Sequence, residues 1–165
     1  NFTKIILDFV EDNGLKENQL GLEITETAEL EDRKKASKAF ELLRDNGVPL
    51  ALDDFGAGYS SLSYLRDLPI SLIKLDKNFA STIDLVDTKE LVKFVVNISE
   101  NLNLDMLIEG IETEEQKNIF LELGCKKGQG YFFHRPEFLK DFARNLDEWF
   151  IKTLKRCREN TPSSD

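Results

Sequence analysis

The sequence predicts an α/β fold: an incomplete TIM-like βα barrel with about five parallel strands, flanking helices and a C-terminal helical extension. First, strand-like and helical segments alternate, and the strands start about 22 to 35 residues apart, as βα units require. Second, each strand-like segment is apolar on one face only. A sheet covered by helices on both sides would be apolar on both faces. A barrel fits better, because helices cover its outer face while its inner face turns polar near the strand ends.

The elements follow from local patterns along the chain. Apolar residues at helical spacing, several times ended by glycine, predict helices over residues 2–15, 31–47, 62–68, 88–103, 114–124 and 136–160. Alternating or β-branched runs predict strands at "QLGLEIT" (19–25), "VPLALDD" (48–54), "ISLIKLD" (70–76), "LDMLIEG" (104–110) and "KKGQGYFF" (126–133). Residues 161–165, "TPSSD", have the composition of a disordered tail.

Composition excludes several classes of protein. The net charge of −9 over 165 residues argues against a DNA or RNA duplex as partner, because such surfaces must supply Lys and Arg to many phosphates. An acidic protein binds a small anion when metal cations lie between its carboxylates and the ligand. No apolar run reaches the ~20 residues of a spanning helix, so we expect no membrane contact. Cys125 and Cys157 fit neither a disulfide framework nor a zinc site, which indicates a cytoplasmic protein.

Ionisable and amide side chains gather where the predicted strands end. They are Glu23, Asp53 with Asp54, Lys74 with Asp76, Glu109 with Glu112, and Gln129. In a barrel these strand ends share one rim, where converging carboxylates repel one another unless cations neutralise them. Oxygen ligands favour Mg²⁺ or Mn²⁺, and two such ions about 4 Å apart form a clamp for phosphodiester cleavage. Lys74 would then orient or deprotonate the nucleophile, or stabilise developing charge.

Other interpretations compete with this one. A single Glu or Lys at a strand end is more often solvated or salt-bridged than catalytic. Gly56 and Gly58 would serve equally well in a plain tight turn. A phosphoacceptor receiver domain also uses an acidic pair and a lysine, but its pair ends the first strand and a third aspartate ends the third. Here the pair ends the second predicted strand and Glu109 the fourth, which disfavours that class.

Five segments together resemble the EAL family of cyclic-di-GMP phosphodiesterases. They are "LEITET" (22–27), "LDDFGAGYSSLSYL" (52–65), "IKLD" (73–76), "EGIET" (109–113) and "QGYFF" (129–133). The resemblance implies a partial EAL domain over residues 1–146, followed by a helical extension and disordered tail over 147–165. It implies a modified TIM barrel that opens cyclic di-GMP to linear pGpG with two Mg²⁺ or Mn²⁺ ions.

The same resemblance implies roles for individual residues. The implied metal ligands are Glu23, Asp53, Asp54 and Glu109. Lys74 would be the catalytic lysine, and Gln129 would position substrate or catalytic water. Glu112 and Asp76 would serve the metal–water cluster or its surroundings, Glu112 as a catalytic residue and Asp76 as a substrate-binding one. A loop that couples homodimer formation to the site would contain Phe55, Gly56, Gly58, Ser60 and Ser61, with Glu26 as its anchor.

Two family features are absent from the sequence. The Glu-Ala-Leu segment with its following arginine and a downstream asparagine ligand have no counterpart. We therefore expect the chain to be the C-terminal part of a larger barrel that lacks about 80 residues, judged from barrel size. We expect the complete domain to be active and this chain alone to show little activity. The alternative is a non-catalytic cyclic-di-GMP receptor or protein-interaction module. Upstream GGDEF or sensory domains would fit a signalling parent.

Overall fold

The computed structural model describes residues 2–25, 32–58, 62–142 and 146. The chain divides into two compact units, Asn1–Phe133 and His134–Asp165. The first unit contains every strand that the structure describes and nearly all of the described helical residues. The predicted site therefore lies in this unit.

The elements of the first unit alternate as the sequence predicts. The helices are α1 (Phe2–Asp12), α2 (Arg33–Asp45), α3 (Leu62–Asp67), α4 (Lys77–Ser81), α5 (Val86–Leu102) and α6 (Glu114–Glu122). The strands are β1 (Leu22–Thr25), β2 (Leu50–Phe55), β3 (Leu72–Leu75), β4 (Asp105–Ile108) and β5 (Lys127–Gly128).

All five strands form one parallel sheet in the order β1-β2-β3-β4-β5. Each strand therefore pairs with the next strand in the chain, through a crossover that contains one or more helices. Sequential parallel pairing of this kind builds the wall of a βα barrel. The predicted α/β class, with five parallel strands and flanking helices, is confirmed.

The two faces of the sheet differ in chemistry. The outward side chains form the core beneath the helices, and Leu52, Ile73, Leu75 and Ile108 are at most 1 % exposed. The helices contribute further fully buried residues to this core, among them Val92 of α5. Because successive residues of a strand point to opposite faces, the polar residues between these positions face inward. The core thus fixes the direction of the site residues.

Two elements differ from the sequence prediction. The fifth strand is two residues long, whereas the pattern predicted a strand through residue 133. The chain turns after Gly128 because the N–H of Phe132 donates to the carbonyl of Ile111 at 3.0 Å, and Phe133 N–H donates to Gly130 at 3.1 Å. The second difference is α4, a five-residue helix directly after β3 that the periodicity did not predict. Five residues are too few for a helical repeat to be visible in a sequence.

The second unit is described over residues 134–142 and at residue 146. It includes helical backbone at residues 139–142, inside the predicted C-terminal helix. The predicted extension and tail, residues 147–165, lie outside the described residues, so the division at residue 146 stays a prediction. Among the helices that the structure describes, none combines the length and the apolarity needed to cross a bilayer.

Candidate catalytic and metal site

A lysine surrounded by carboxylates lies at the carboxyl ends of the strands. The Lys74 ammonium nitrogen, Nζ, is 2.7 Å from Asp53 Oδ1, 2.9 Å from Glu109 Oε1 and 3.0 Å from Glu23 Oε1. These carboxylates come from β2, the end of β4 and β1, which places the ends of four strands around one cation. Of the residues that the sequence predicted to share a rim, Glu23, Asp53, Lys74 and Glu109 lie in direct contact here.

An irregularity in β2 explains how two adjacent aspartates reach the same site. Leu52 pairs with Ile73 and Phe55 pairs with Leu75, so two residues of β2 lie opposite the single residue Lys74. Such a bulge re-aims a side chain that would otherwise point to the opposite face. Asp54 also adopts a left-handed backbone with φ of +53°. Aspartate tolerates this conformation better than most residues, and strained backbone of this kind clusters at functional sites.

Lys74 remains a cation at neutral pH. Its side chain is only 10 % exposed. Burial alone would lower the pKa of Lys74, but the contacts with Asp53, Glu109 and Glu23 outweigh it and raise that pKa above its ordinary value. Lys74 in this arrangement is therefore suited to hold and neutralise negative charge.

The carboxylates fit a divalent cation. One oxygen from each of Asp53, Asp54 and Glu109 lies within 4.8 Å of the others. Asp53 Oδ1 is fully buried and contacts the Lys74 ammonium at 2.7 Å. Carboxylate oxygens gathered in this way are the ligands that hard divalent cations prefer. With Glu23, the site contains four carboxylates and one ammonium, an excess of negative charge that attracts cations.

The remaining predicted site residues have different surroundings. Gln129 lies beside the cluster, since its Nε2 donates to Glu109 Oε1 at 3.2 Å. Asp76 is 7 % exposed and caps α4, where its Oδ1 accepts from the N–H of Asn78 at 2.8 Å. Glu112 lies on the loop after β4 with its side chain exposed. The substrate-binding and water-positioning roles of these three residues stay predictions.

The predicted loop after β2 is described in part. Phe55 is 5 % exposed and belongs to the core, and Gly56 and Gly58 follow it at the surface. Glu26, Ser60 and Ser61 lie outside the described residues. The roles of these six residues as a loop anchor and dimer switch stay predictions.

The sequence interpretation missed one residue that organises the site loops. Gln116 of α6 receives hydrogen bonds from the backbone N–H groups of Glu112 and Thr113 and donates one to Ala80 of α4. Its signal was present in the sequence: Thr113 and Gln116 have the Thr-x-x-Gln spacing of a capping box, and both bonds of that box form. The contact with α4 joins segments 36 residues apart and had no local signal.

Fold and site together define an incomplete βα barrel with an acidic, lysine-centred site at the carboxyl ends of its parallel strands. The chain belongs to the EAL domain family, whose model matches residues 1–136. This membership confirms the resemblance and sets the receiver-domain alternative aside.

Known relatives agree with this membership. The cyclic di-GMP phosphodiesterase PdeA of Borreliella burgdorferi is 37% identical over 142 residues, which are 83% of this chain and 21% of that protein. The crystal structure of the EAL domain of Mycobacterium smegmatis DcpA superposes with a TM-score of 0.83 at 29% identity, covering 89% of this chain and 66% of that one. A manganese and cyclic di-GMP complex of Klebsiella pneumoniae BlrP1 gives a TM-score of 0.73 at 34% identity, covering 81% and 34%.

The matched region is a small part of most relatives. The chain spans about a fifth of the length of the curated relatives that it matches, with 22% and 16% as examples.

Proposed function

We propose that the domain containing this chain hydrolyses cyclic di-GMP to linear pGpG with the help of Mg²⁺ or Mn²⁺. The observation that carries the proposal is the buried Lys74 ammonium within 3.0 Å of carboxylates from three strand ends. The name of PdeA and the manganese and cyclic di-GMP complex of BlrP1 support the choice of substrate and of cation. The reaction adds one water across a phosphodiester bond: its oxygen joins phosphorus, and a proton passes to the leaving ribose oxygen.

The cations would be held by the clustered carboxylates. Asp53, Asp54 and Glu109 offer oxygens within 4.8 Å of one another, and Glu23 Oε1 lies 3.0 Å from the Lys74 ammonium. When bound, divalent cations supply an activated water and neutralise charge on the phosphate. Mg²⁺ and Mn²⁺ both prefer such oxygen ligands.

The protein side chains would orient the ligands and stabilise charge. Lys74 fixes one oxygen of each of three carboxylates and keeps its own positive charge, which is suited to a phosphate oxygen in the transition state. Gln129 fixes Glu109 through its Nε2, and we assign to its amide oxygen the orientation of substrate or water. We assign the polar groups of Asp76 and Glu112 to the outer part of this arrangement.

Turnover by the full-length protein tests the proposal. In buffer with Mg²⁺ or Mn²⁺, we expect conversion of cyclic di-GMP to pGpG, measured by chromatographic separation of substrate and product. Chelation with EDTA should abolish the conversion, and returning Mn²⁺ should restore it, since the carboxylates alone supply no electrophile. Tight binding of cyclic di-GMP without turnover under these conditions would support the receptor alternative and contradict the enzyme.

We propose a homodimer as the working form. Leu91, Phe94 and Leu102 are 54 %, 52 % and 48 % exposed along α5, at spacings that place them on one side of the helix. An apolar stripe of this kind on a surface marks an interaction site, and a second copy would cover it by symmetry. Sedimentation equilibrium of the full-length protein should give the mass of a dimer, and Phe94→Glu should give a monomer. A wild-type monomer at micromolar concentration would contradict the dimer.

We also propose a cytoplasmic location, with sensory or GGDEF domains in the same polypeptide. The thiol of Cys125 is buried and free, as in proteins of a reducing compartment. Burial raises the pKa of Cys125 to about 12, so this thiol is inert at neutral pH. The length of the curated relatives leaves room for additional domains.

A further inference from the structure

Helix α4 contacts the loop that carries the aspartate pair. Gly56, two residues after Asp54, has a φ of +91° and lies against the ring of Phe79. A Cβ atom built at Gly56 would lie 2.7 Å from Cζ of Phe79 and closer still to its Cε2. The backbone of this loop therefore rests directly on the Phe79 ring, in a conformation that favours glycine.

The same helix contacts the loop that carries Glu109. Gly110 has a φ of +73°, and a Cβ atom there would lie 2.7 Å from Cβ and 3.2 Å from Cα of Lys77. Two glycines, each within two residues of a carboxylate of the site, thus pack against residues of one short helix. That helix begins three residues after Lys74.

Gln116 attaches the second loop to α4 by hydrogen bonds. Its Oε1 accepts from the N–H of Glu112 at 2.8 Å and of Thr113 at 3.1 Å, and its Nε2 donates to the Ala80 carbonyl at 2.9 Å. Ala80 is 1 % exposed, so its carbonyl lies in a region that water reaches poorly. Loss of the Gln116 Nε2 donor would leave the buried carbonyl of Ala80 without this hydrogen bond.

We propose that Gln116 is a positioning residue for the metal site, acting through α4. Its side chain holds the loop after β4 against the helix on which the loop after β2 also rests. Helix α4 then sets the separation between the carboxylates of Asp54 and Glu109. Because α4 follows Lys74 in the chain, it also positions both carboxylates relative to Lys74. This inference rests on the proposed function, because it assigns cation binding to these carboxylates. Outer groups that orient ligands in this way typically change metal affinity 10–100-fold when mutated.

Two substitutions separate positioning from simple helix capping. Gln116→Glu keeps an acceptor for both loop N–H groups but loses the donor to Ala80. Thr113→Ala removes the hydroxyl that accepts from Gln116 N–H at 3.2 Å and leaves the bond to Ala80 intact. Each loses a cap or bond of similar strength, so we expect both variants of the full-length protein to melt about 2–6 °C lower.

Calorimetric titration with Mn²⁺ alone distinguishes a positioning role of Gln116 from a simple capping role. We expect Gln116→Glu to bind Mn²⁺ about tenfold more weakly than wild type, and Thr113→Ala to stay within about twofold. In turnover assays at saturating substrate and subsaturating Mn²⁺, Gln116→Glu should lose rate that added Mn²⁺ restores. Equal Mn²⁺ affinity in wild type and Gln116→Glu would overturn the inference.

A second variant, Phe79→Leu, tests the inference independently if Gln116→Glu does not fold. Phe79→Leu shortens the side chain under Gly56 while it keeps an apolar contact, and we expect it also to weaken Mn²⁺ binding. Unchanged affinity in this variant would likewise overturn the inference. The outcome is separate from that of the proposed function: a protein that binds Mn²⁺ but leaves cyclic di-GMP intact would refute the phosphodiesterase, while the affinities of the variants would still decide the role of Gln116.

Discussion

Replacing Lys74 by methionine is expected to lower the rate of cyclic di-GMP hydrolysis about 10²–10³-fold while it raises the affinity of the site for Mn²⁺. The rate falls because a preorganised positive charge within the site is lost. The affinity rises because the carboxylates of Asp53, Glu109 and Glu23 no longer share their charge with an ammonium 2.7–3.0 Å away. We expect at least about a tenfold increase, measured by calorimetry without substrate. A residue with a merely structural role would lose both properties together.

The same variant should be less stable when no metal is present. Removal of the cation leaves Asp53 and Glu109, whose side chains are only 20 % and 18 % exposed, without a positive partner, a loss of about 3 kcal/mol by comparison with broken buried pairs. Glu23 contributes less, because its side chain is 54 % exposed. The raised pKa of Lys74 means that its contribution is fully present below the pKa of an unfolded lysine, about 10.4, and is lost only as the pH rises through the folded pKa. Urea unfolding at pH 7.5 in EDTA therefore measures it in full.

Lys127→Met is the matched control. Lys127 forms an ion pair with Asp105 at 2.7 Å, but the two side chains are 50 % and 61 % exposed. The expected loss of stability is below about 1 kcal/mol, with Mn²⁺ affinity and turnover unchanged. If Lys74→Met weakened Mn²⁺ binding as it slowed turnover, the ammonium would have to be regarded as a scaffold for the carboxylates and not as their competitor for the cation.

Much of the site follows from strand alternation alone. Leu50 and Leu52 on one face of β2 require Asp53 on the other, and the same rule places Lys74 opposite Ile73 and Leu75. Parallel pairing then brings these inward residues to one rim, because all strands end on the same side. The sequence therefore predicted which side chains surround Lys74 without any knowledge of the distances.

The same rule fails for Asp54 and for the elements that support the site. Strict alternation would send Asp54 to the face opposite Asp53, and only the bulge opposite Lys74 corrects this. Bulge, short fifth strand and α4 all depend on contacts between distant segments, such as Phe132 with Ile111 and Gln116 with Ala80. A local pattern carries no information about such contacts, which is why β5 was predicted too long and α4 was not predicted.

Asp54→Asn is expected to reduce turnover at least about 100-fold while it leaves the fold intact. Asparagine has the shape of aspartate and adopts the left-handed backbone nearly as readily, so φ of +53° at this position remains accessible. What is lost is one negatively charged oxygen among the three that lie within 4.8 Å. Loss of several kcal/mol of charge stabilisation by a cation corresponds to factors of 10² or more in rate. Turnover and Mn²⁺ affinity of the full-length protein provide the measurement.

Two further substitutions at the same position separate the carboxylate from the backbone. Asp54→Gly removes the side chain but permits the positive φ, whereas Asp54→Ala must adopt it at a cost of about 1–2 kcal/mol. All three variants lack the charge of Asp54, so their comparison isolates the backbone: we expect the Ala variant to be less stable in urea unfolding than the Asn and Gly variants by about 1 kcal/mol. All three should lose turnover to the same extent, because all three lack the carboxylate.

Stability and turnover of the three Asp54 variants together test the role of the bulge in β2. If stability followed backbone conformation while activity followed only the carboxylate, the strained turn at Asp54 would serve to deliver a second carboxylate beside Asp53 on the face that holds Lys74. If Asp54→Asn instead kept full turnover, Asp53, Glu109 and Glu23 would have to bind the cations without it. The bulge would then act on the following loop, where Gly56 rests on Phe79, and its effect on activity would be sought there.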